Sequence, residues 1–268
     1  MRAWVAALAA AAALLAAAPD AEAQRRGAQP APIDLSTPQG ALQAMRRIWC
    51  TQTDNEPVYW FWQGDVYSRR QGEADRLLFR VQGLNVRTCG PATHPERGQG
   101  FRSVSRELLI YLDPTTGEVL SDWTNPWTGE TVDVLHVAND PVNGEFFERT
   151  RSGAPRTFHA NSLEDPWFLP SPEPLFDTNP LGGAYQAEVG GTYHATEMFN
   201  FMGVTSNLTD PRVNTASLEV GWVRISDWLP WMRMGGREGM LYFHTAGTKV
   251  LDWNQISPLM QNEVATHY

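Results

Sequence analysis

Asp113-Pro114-Thr115-Thr116-Gly117-Glu118 and, twelve residues on, Asn125-Pro126-Trp127-Thr128-Gly129-Glu130 are nearly the same turn written twice. Asx-Pro opens a type I turn, and the glycine takes the positive φ that returns the chain to a strand. Two such turns in succession predict a three-stranded antiparallel meander over 104–112, 118–124 and 130–138. Upstream, 58–67 is dense in aromatics, and 77–87 and 102–112 are β-branched or apolar. Downstream, 191–206, 216–227 and 237–246 read as strands, with Gly235-Gly236 and Gly247 marking turns. The predicted fold class is mainly β, a single antiparallel closed barrel or barrel-like sandwich of the calycin kind. It has roughly eight to ten strands joined by tight turns, which disfavours a βαβ fold.

A helix is expected at each end of this β-rich region. Thr37 is an N-cap with Pro38 at the first helical position, and Leu42, Met45, Ile48 and Trp49 share one face, so a helix is predicted over 38–50. Ser257 and Pro258 open a short C-terminal helix in the same way. Between the strands, 163–183 carries Pro166, Pro170, Pro172, Pro174 and Pro180 among Trp167, Phe168, Leu175 and Phe176. Prolines at this density predict a long apolar loop without regular structure, either a lid over a cavity or a strap across a barrel end.

The first 23 residues have the pattern of a secretion signal: Arg2, an Ala/Leu/Val run over 4–18, and Ala21-Glu22-Ala23 as the cleavage site before Gln24. Residues 24–36 read as a flexible tether and 37–268 as one β-rich domain. The expected location is therefore outside the cytoplasm, periplasmic or extracellular. No later stretch is long and apolar enough for a membrane helix, so no stable membrane insertion is expected. In an oxidising space the two cysteines, Cys50 and Cys89, have a disulfide as their default, with two buried thiols as the alternative. The formal charge is −9, Lys249 is the single lysine, and no basic stripe exists, which excludes nucleic acid as a partner.

Residues 122–130, Asp-Trp-Thr-Asn-Pro-Trp-Thr-Gly-Glu, and 136–143, His-Val-Ala-Asn-Asp-Pro-Val-Asn, resemble a family of exported bacterial proteins catalogued as a domain of unknown function. The segments 193–197 and 228–232 share the likeness. The resemblance implies a single domain from about Thr37 to the last strand. It implies no activity and no catalytic residues.

No nucleophile elbow, P-loop or dinucleotide fingerprint is present, and no His pair has metal-ligand spacing, so no cofactor and no metal are expected. Strand parity supplies a different test, because alternate residues point to opposite faces. Four predicted strands carry a titratable residue on an otherwise apolar face. Glu197 lies with Tyr193, Ala195, Phe199 and Phe201; His136 with Val132, Val134 and Ala138; Arg224 with Leu218, Val220 and Trp222; His244 with Met240, Tyr242 and Ala246. Each is singly explained by a structural ion pair or hydrogen bond. Together they predict one interior holding Glu197, Arg224, His136 and His244, lined by Tyr193, Trp222, Tyr242 and Trp127 and closed by 163–183.

Two functions fit that interior. One is a cofactor-independent lyase, isomerase or decarboxylase acting on a small apolar, aromatic molecule, with Arg224 holding a carboxylate or enolate oxygen and Glu197 or a histidine moving a proton. The other is a non-catalytic carrier of such a ligand, whose polar groups only orient it. A structural envelope protein predicts instead that the interior is simply filled.

Overall fold

The computed structural model describes residues 30–160, 165–175, 193–234 and 236–268. The expected signal 1–23, residues 24–29 of the tether, and parts of the 163–183 segment lie outside the described residues. Ile33–Tyr268 forms one compact unit.

Its helices begin where their caps dictate. In α1 (Pro38–Trp49) the Thr37 hydroxyl accepts from the Gly40 N–H at 3.1 Å, and Pro38 occupies the first turn. Ala41, Ala44 and Ile48 are fully buried against Val58, Trp60, Phe201, Leu218 and Val220. Burying a side chain the size of Ile48 contributes about 2 kcal/mol. A short helix, α2 (Ser206–Thr209), packs near α1. In α3 (Pro258–His267) Ser257 Oγ accepts from the Met260 N–H, and Met260 packs with Leu84, Leu108 and Ile110.

The strands are β1 (Val58–Arg69), β2 (Arg76–His94), β3 (Gly98–Leu112), β4 (Asp122–Thr124), β5 (Thr131–Asp133), β6 (Val137–Pro141), β7 (Gly144–Phe147), β8 (Trp167–Leu175), β9 (Ala195–Gly203), β10 (Leu218–Ser226) and β11 (Met240–Val250). Nine form one antiparallel sheet in the order β6-β3-β2-β1-β11-β10-β9-β8, with β7 also on β3. The fold is thus mainly β and antiparallel, as the turn chemistry predicted. β4 and β5 form a separate two-stranded sheet.

The repeated turns behave as written. Gly117 and Gly129 have φ of 75° and 74°, and their N–H groups bond back to Asp113 O and Asn125 O at 2.9 and 2.8 Å. The continuous meander does not form, because β3 meets the next segment only at the Leu112–Val119 bridge before β4 and β5 pair.

Two expectations are corrected. The first is the structureless 163–183 loop: Trp167–Leu175 is β8, paired with β9 along its length. Its prolines, Pro170, Pro172 and Pro174, fall on every second residue. Alternate strand residues aim their N–H groups to opposite sides, so three prolines in phase remove donors from one side only and leave the ladder to β9 intact. The second is barrel closure. Among the described residues β8 and β6 are the ends of the sheet and are not paired with each other. The side of β8 that closure would use is the side from which the prolines remove donors, leaving only the Phe168 N–H.

The open sheet is nevertheless strongly curled. Leu109, Tyr111 and Val137 from one end share a core with Tyr193, Ala195 and Trp222 from the other. On a flat sheet β3 and β9 would lie about 24 Å apart, five inter-strand steps.

The cysteine pair is a disulfide, Cys50–Cys89, with a Cα–Cα distance of 6.0 Å, tying the end of α1 to β2. No helix among the described residues is long and apolar enough to cross a membrane.

Candidate functional site

The concave face of the curl collects the polar groups. Arg224 on β10 is fully buried. It stands directly opposite Glu197 of β9 in the strand register, so both side chains leave the same face. Arg224 Nη2 donates to Tyr193 Oη at 2.9 Å, and Nη1 lies 3.8 Å from Glu197 Oε1. Arg224 Nε and Nη1 have no hydrogen-bond partner among the described residues, and neither do Tyr111 Oη and the indole N–H groups of Trp62 and Trp222.

Aromatic rings wall this cluster. Trp222 stacks on Phe199 at 6.4 Å, meets Phe243 at 5.8 Å and meets Trp62 edge-on at 6.1 Å. Trp62 lies across Gly83 of the neighbouring strand, where a Cβ would fall 2.1 Å from the indole. A glycine is required there by that close approach.

Electrostatics follow from the burial. Burial raises the Glu197 carboxyl above its ordinary pKa and the Glu173 charge adds to this, while Arg224 pulls the other way. Glu197 nevertheless keeps 18% of its side chain accessible. For Arg224, burial opposes the charge, but Tyr193, Glu197 and Tyr111 outweigh it and hold the guanidinium protonated. Glu107 of β3 belongs to the same interior. Burial, with the charges of Glu197 and Asp140, pushes its carboxyl up to about 8, against Asn85 and Arg224. Asn85 is itself oriented by Arg87, whose Nε donates to its Oδ1 at 3.1 Å.

Of the eight residues expected to share one site, the structure brings together Glu197, Arg224, Tyr193 and Trp222. The others lie elsewhere. His244 is exposed on the convex face, stacked on Tyr242, which is itself covered by the Arg69 guanidinium at 4.7 Å. The concave residues of β11 are Leu241, Phe243, Thr245 and Lys249, all buried. His136 lies in the break between β5 and β6, where strand parity no longer applies. Its Nδ1 accepts from the Tyr111 N–H at 3.1 Å, so the Nε2–H donates to Leu120 O at 2.9 Å. Burial lowers its pKa, and the ring is neutral and fully used. Trp127 sits in the β4–β5 turn between the guanidinium groups of Arg237 and Arg76, at 4.7 and 5.4 Å.

Glu107, Tyr111 and Trp62 were missed. In 107–112, Glu-Leu-Leu-Ile-Tyr-Leu, both faces are apolar because α3 covers the convex side, so alternation carries no signal there. The serines at 103 and 105, in phase with Glu107, were the available hint. Among the described residues, no group of three or more His, Cys, Asp and Glu is placed to hold a metal ion.

Fold and site define a class: a curled antiparallel sheet whose concave face encloses an arginine–carboxylate centre walled by aromatic rings. Residues 55–268 match the family model described as a protein of unknown function, DUF1838, and the chain belongs to that family. No curated protein and no solved structure matches it.

Proposed function

We propose that the curled sheet is a barrel-like enclosure for a small, largely aromatic molecule bearing a carboxylate or enolate oxygen, and that it acts on this molecule without a cofactor. The reaction classes that suit it are isomerisation, elimination and decarboxylation, with Arg224 holding the oxygen and Glu197 taking a proton. One observation carries the reading: Arg224 is fully buried, yet among the described residues its Nε and Nη1 have no hydrogen-bond partner, Glu197 Oε1 standing 3.8 Å from Nη1. An unpaired buried donor costs about 1–3 kcal/mol, more when charged, unless a ligand oxygen or water takes it up. A protein that only filled its interior would gain by replacing such an arginine with an apolar residue. The carrier reading uses the same site and differs only in lacking turnover. We place the protein outside the cytoplasm, a reading supported by the 1–23 pattern and the disulfide.

Benzoate serves as the probe. Trp62 and Trp222 flank the centre, so benzoate should quench intrinsic fluorescence saturably in the wild type. Arg224→Met should weaken that binding at least about tenfold, the scale of a lost charged hydrogen bond. Equal titrations of wild type and Arg224→Met, with both proteins folded by circular dichroism, would remove the reading. Mass spectrometry of molecules co-purifying with the protein then supplies candidates for turnover.

A further inference from the structure

We propose that Glu107 and Glu197 form an acid–base pair on opposite walls of the interior, one taking a proton from the bound molecule while the other gives one. The proposal rests on the Arg224 reading above and goes beyond it by assigning the second proton-transfer group.

The geometry begins with the sheet. Glu107 is on β3 and Glu197 on β9, with β2, β1, β11 and β10 between them. About 24 Å apart on a flat sheet, two such carboxyls would be more than a Debye length from each other. The curl removes that distance. Leu109 and Tyr111, in phase with Glu107 on β3, share one core with Tyr193, Ala195 and Trp222 around Glu197. Tyr111 and Arg224 lie in each other's field across the same gap, and the Glu197 charge acts on Glu107. Neither residue is closed off completely. Glu107 is half-buried while Ser105, Leu108 and Leu109 around it are buried, and Glu197 keeps accessible surface beside the fully buried Arg224.

Charge balance separates the two roles. The charges that act on Glu107 are those of Asp140 from β6, Glu197 from β9 and Arg224 from β10, and Glu107 in turn acts on Arg87 from β2 and on Tyr268 at the end of α3. Arg224 lies directly opposite Glu197 in register. Like charges in one interior cannot both ionise freely, so the repulsion falls on Glu107, the carboxyl that keeps its proton. The resting site therefore holds a base, an acid and a cation.

This set fits a substrate with a C–H bond next to a carbonyl or carboxylate. Glu197 takes that proton, the C–H electron pair moves toward the oxygen, and the oxygen's charge is held by Arg224. Where the substrate has a β,γ C=C bond, that bond's electron pair takes the Glu107 proton at the γ-carbon while the enolate pair returns to form the α,β C=C bond, completing an isomerisation in which the product has the substrate's formula. If Glu107 protonates a leaving oxygen instead, the substrate loses water or an alcohol. Either way Glu197 ends protonated and Glu107 ionised, and one proton passing between them restores the site.

The test needs no substrate. With glutamate carboxyls carrying carbon-13, NMR titration of wild type, Glu197→Gln and Glu107→Gln reads each midpoint. In Glu197→Gln the Glu107 midpoint should fall by about one pH unit, because the repelling charge is gone. A Glu107 midpoint that does not move overturns the pair and leaves the Arg224 reading intact. The second readout is the pH profile of benzoate binding. In wild type, binding should weaken as Glu107 ionises, and in Glu107→Gln that limb should disappear. The same limb in both proteins also overturns the pair. If Arg224→Met binds benzoate like the wild type, the Arg224 reading itself fails, and the pair fails with it.

Discussion

Lys249 Nζ, arriving from β11, donates to the carbonyl oxygens of Ile48 at 2.8 Å and Cys50 at 3.3 Å, and also to Arg47 O. The single lysine of the chain thereby closes the C-terminal end of α1, where the last carbonyls lack helical partners. Burial, with the nearby Arg87 charge, lowers its pKa well below the ordinary value. Lys249→Met removes the donor to Ile48 O, while Arg47 O keeps the Ala216 N–H and Cys50 O keeps the Thr215 hydroxyl, so the net cost is about 1–3 kcal/mol. Chemical denaturation reads this directly, and an unchanged midpoint would show that the contact contributes nothing.

The disulfide acts on the same helix end. Cys50 and Cys89 are 39 residues apart in sequence, and closing a loop of that length in the unfolded chain stabilises the fold by about 4 kcal/mol in the chain-entropy model. The Cys50→Ala, Cys89→Ala double variant should lose stability of that order. Wild type under reducing agent should approach it. Equal melting with and without reductant would contradict the assignment.

The contribution of Glu107 and Asp140 to stability should fall as pH rises above about 5, while His136 and Lys249, whose pKa values burial lowers, act in the opposite sense. Burial raises Glu107 from 4.5 to about 8 and Asp140 from 3.8 to about 6. The folded state therefore keeps protons that the unfolded chain releases. The favourable contribution is complete below the unfolded values and is lost progressively as pH climbs to the folded ones. Glu107→Gln should flatten the dependence between pH 6 and 8 and leave the variant more stable than wild type above it. Urea melts at three pH values within this range decide the matter; parallel curves for the two proteins would mean Glu107 titrates normally.

The edge of the sheet is protected by chemistry rather than by length. β8 spans nine residues, and the prolines at 170, 172 and 174 leave its outer side with a single N–H donor, that of Phe168. Pro170→Thr with Pro172→Thr should restore two donors and promote edge-to-edge association. Light scattering and size-exclusion chromatography should show concentration-dependent oligomers in the variant and not in wild type. A variant with the wild-type elution profile would mean that something other than the prolines protects this edge.

The sequence by itself determined what depends on a few neighbouring residues. Asp113 to Glu118 and Asn125 to Glu130 form the same turn because Asx, Pro and Gly restrict the same dihedrals wherever they occur. Thr37-Pro38 and Ser257-Pro258 start helices for the same local reason. Glu197 and Arg224 were legible as intruders because each sits on a strand with one apolar face. Parity misled in β11, where 240–246 is apolar on both faces, and around His136, where the strand breaks. Only the tertiary structure decided which face of each strand is concave, that alternate prolines make 167–175 a sheet edge, and that Glu107 shares an interior with Glu197. These depend on the curl of a nine-stranded sheet, a sum of small twists and packing contacts across strands far apart in sequence, which no local pattern records.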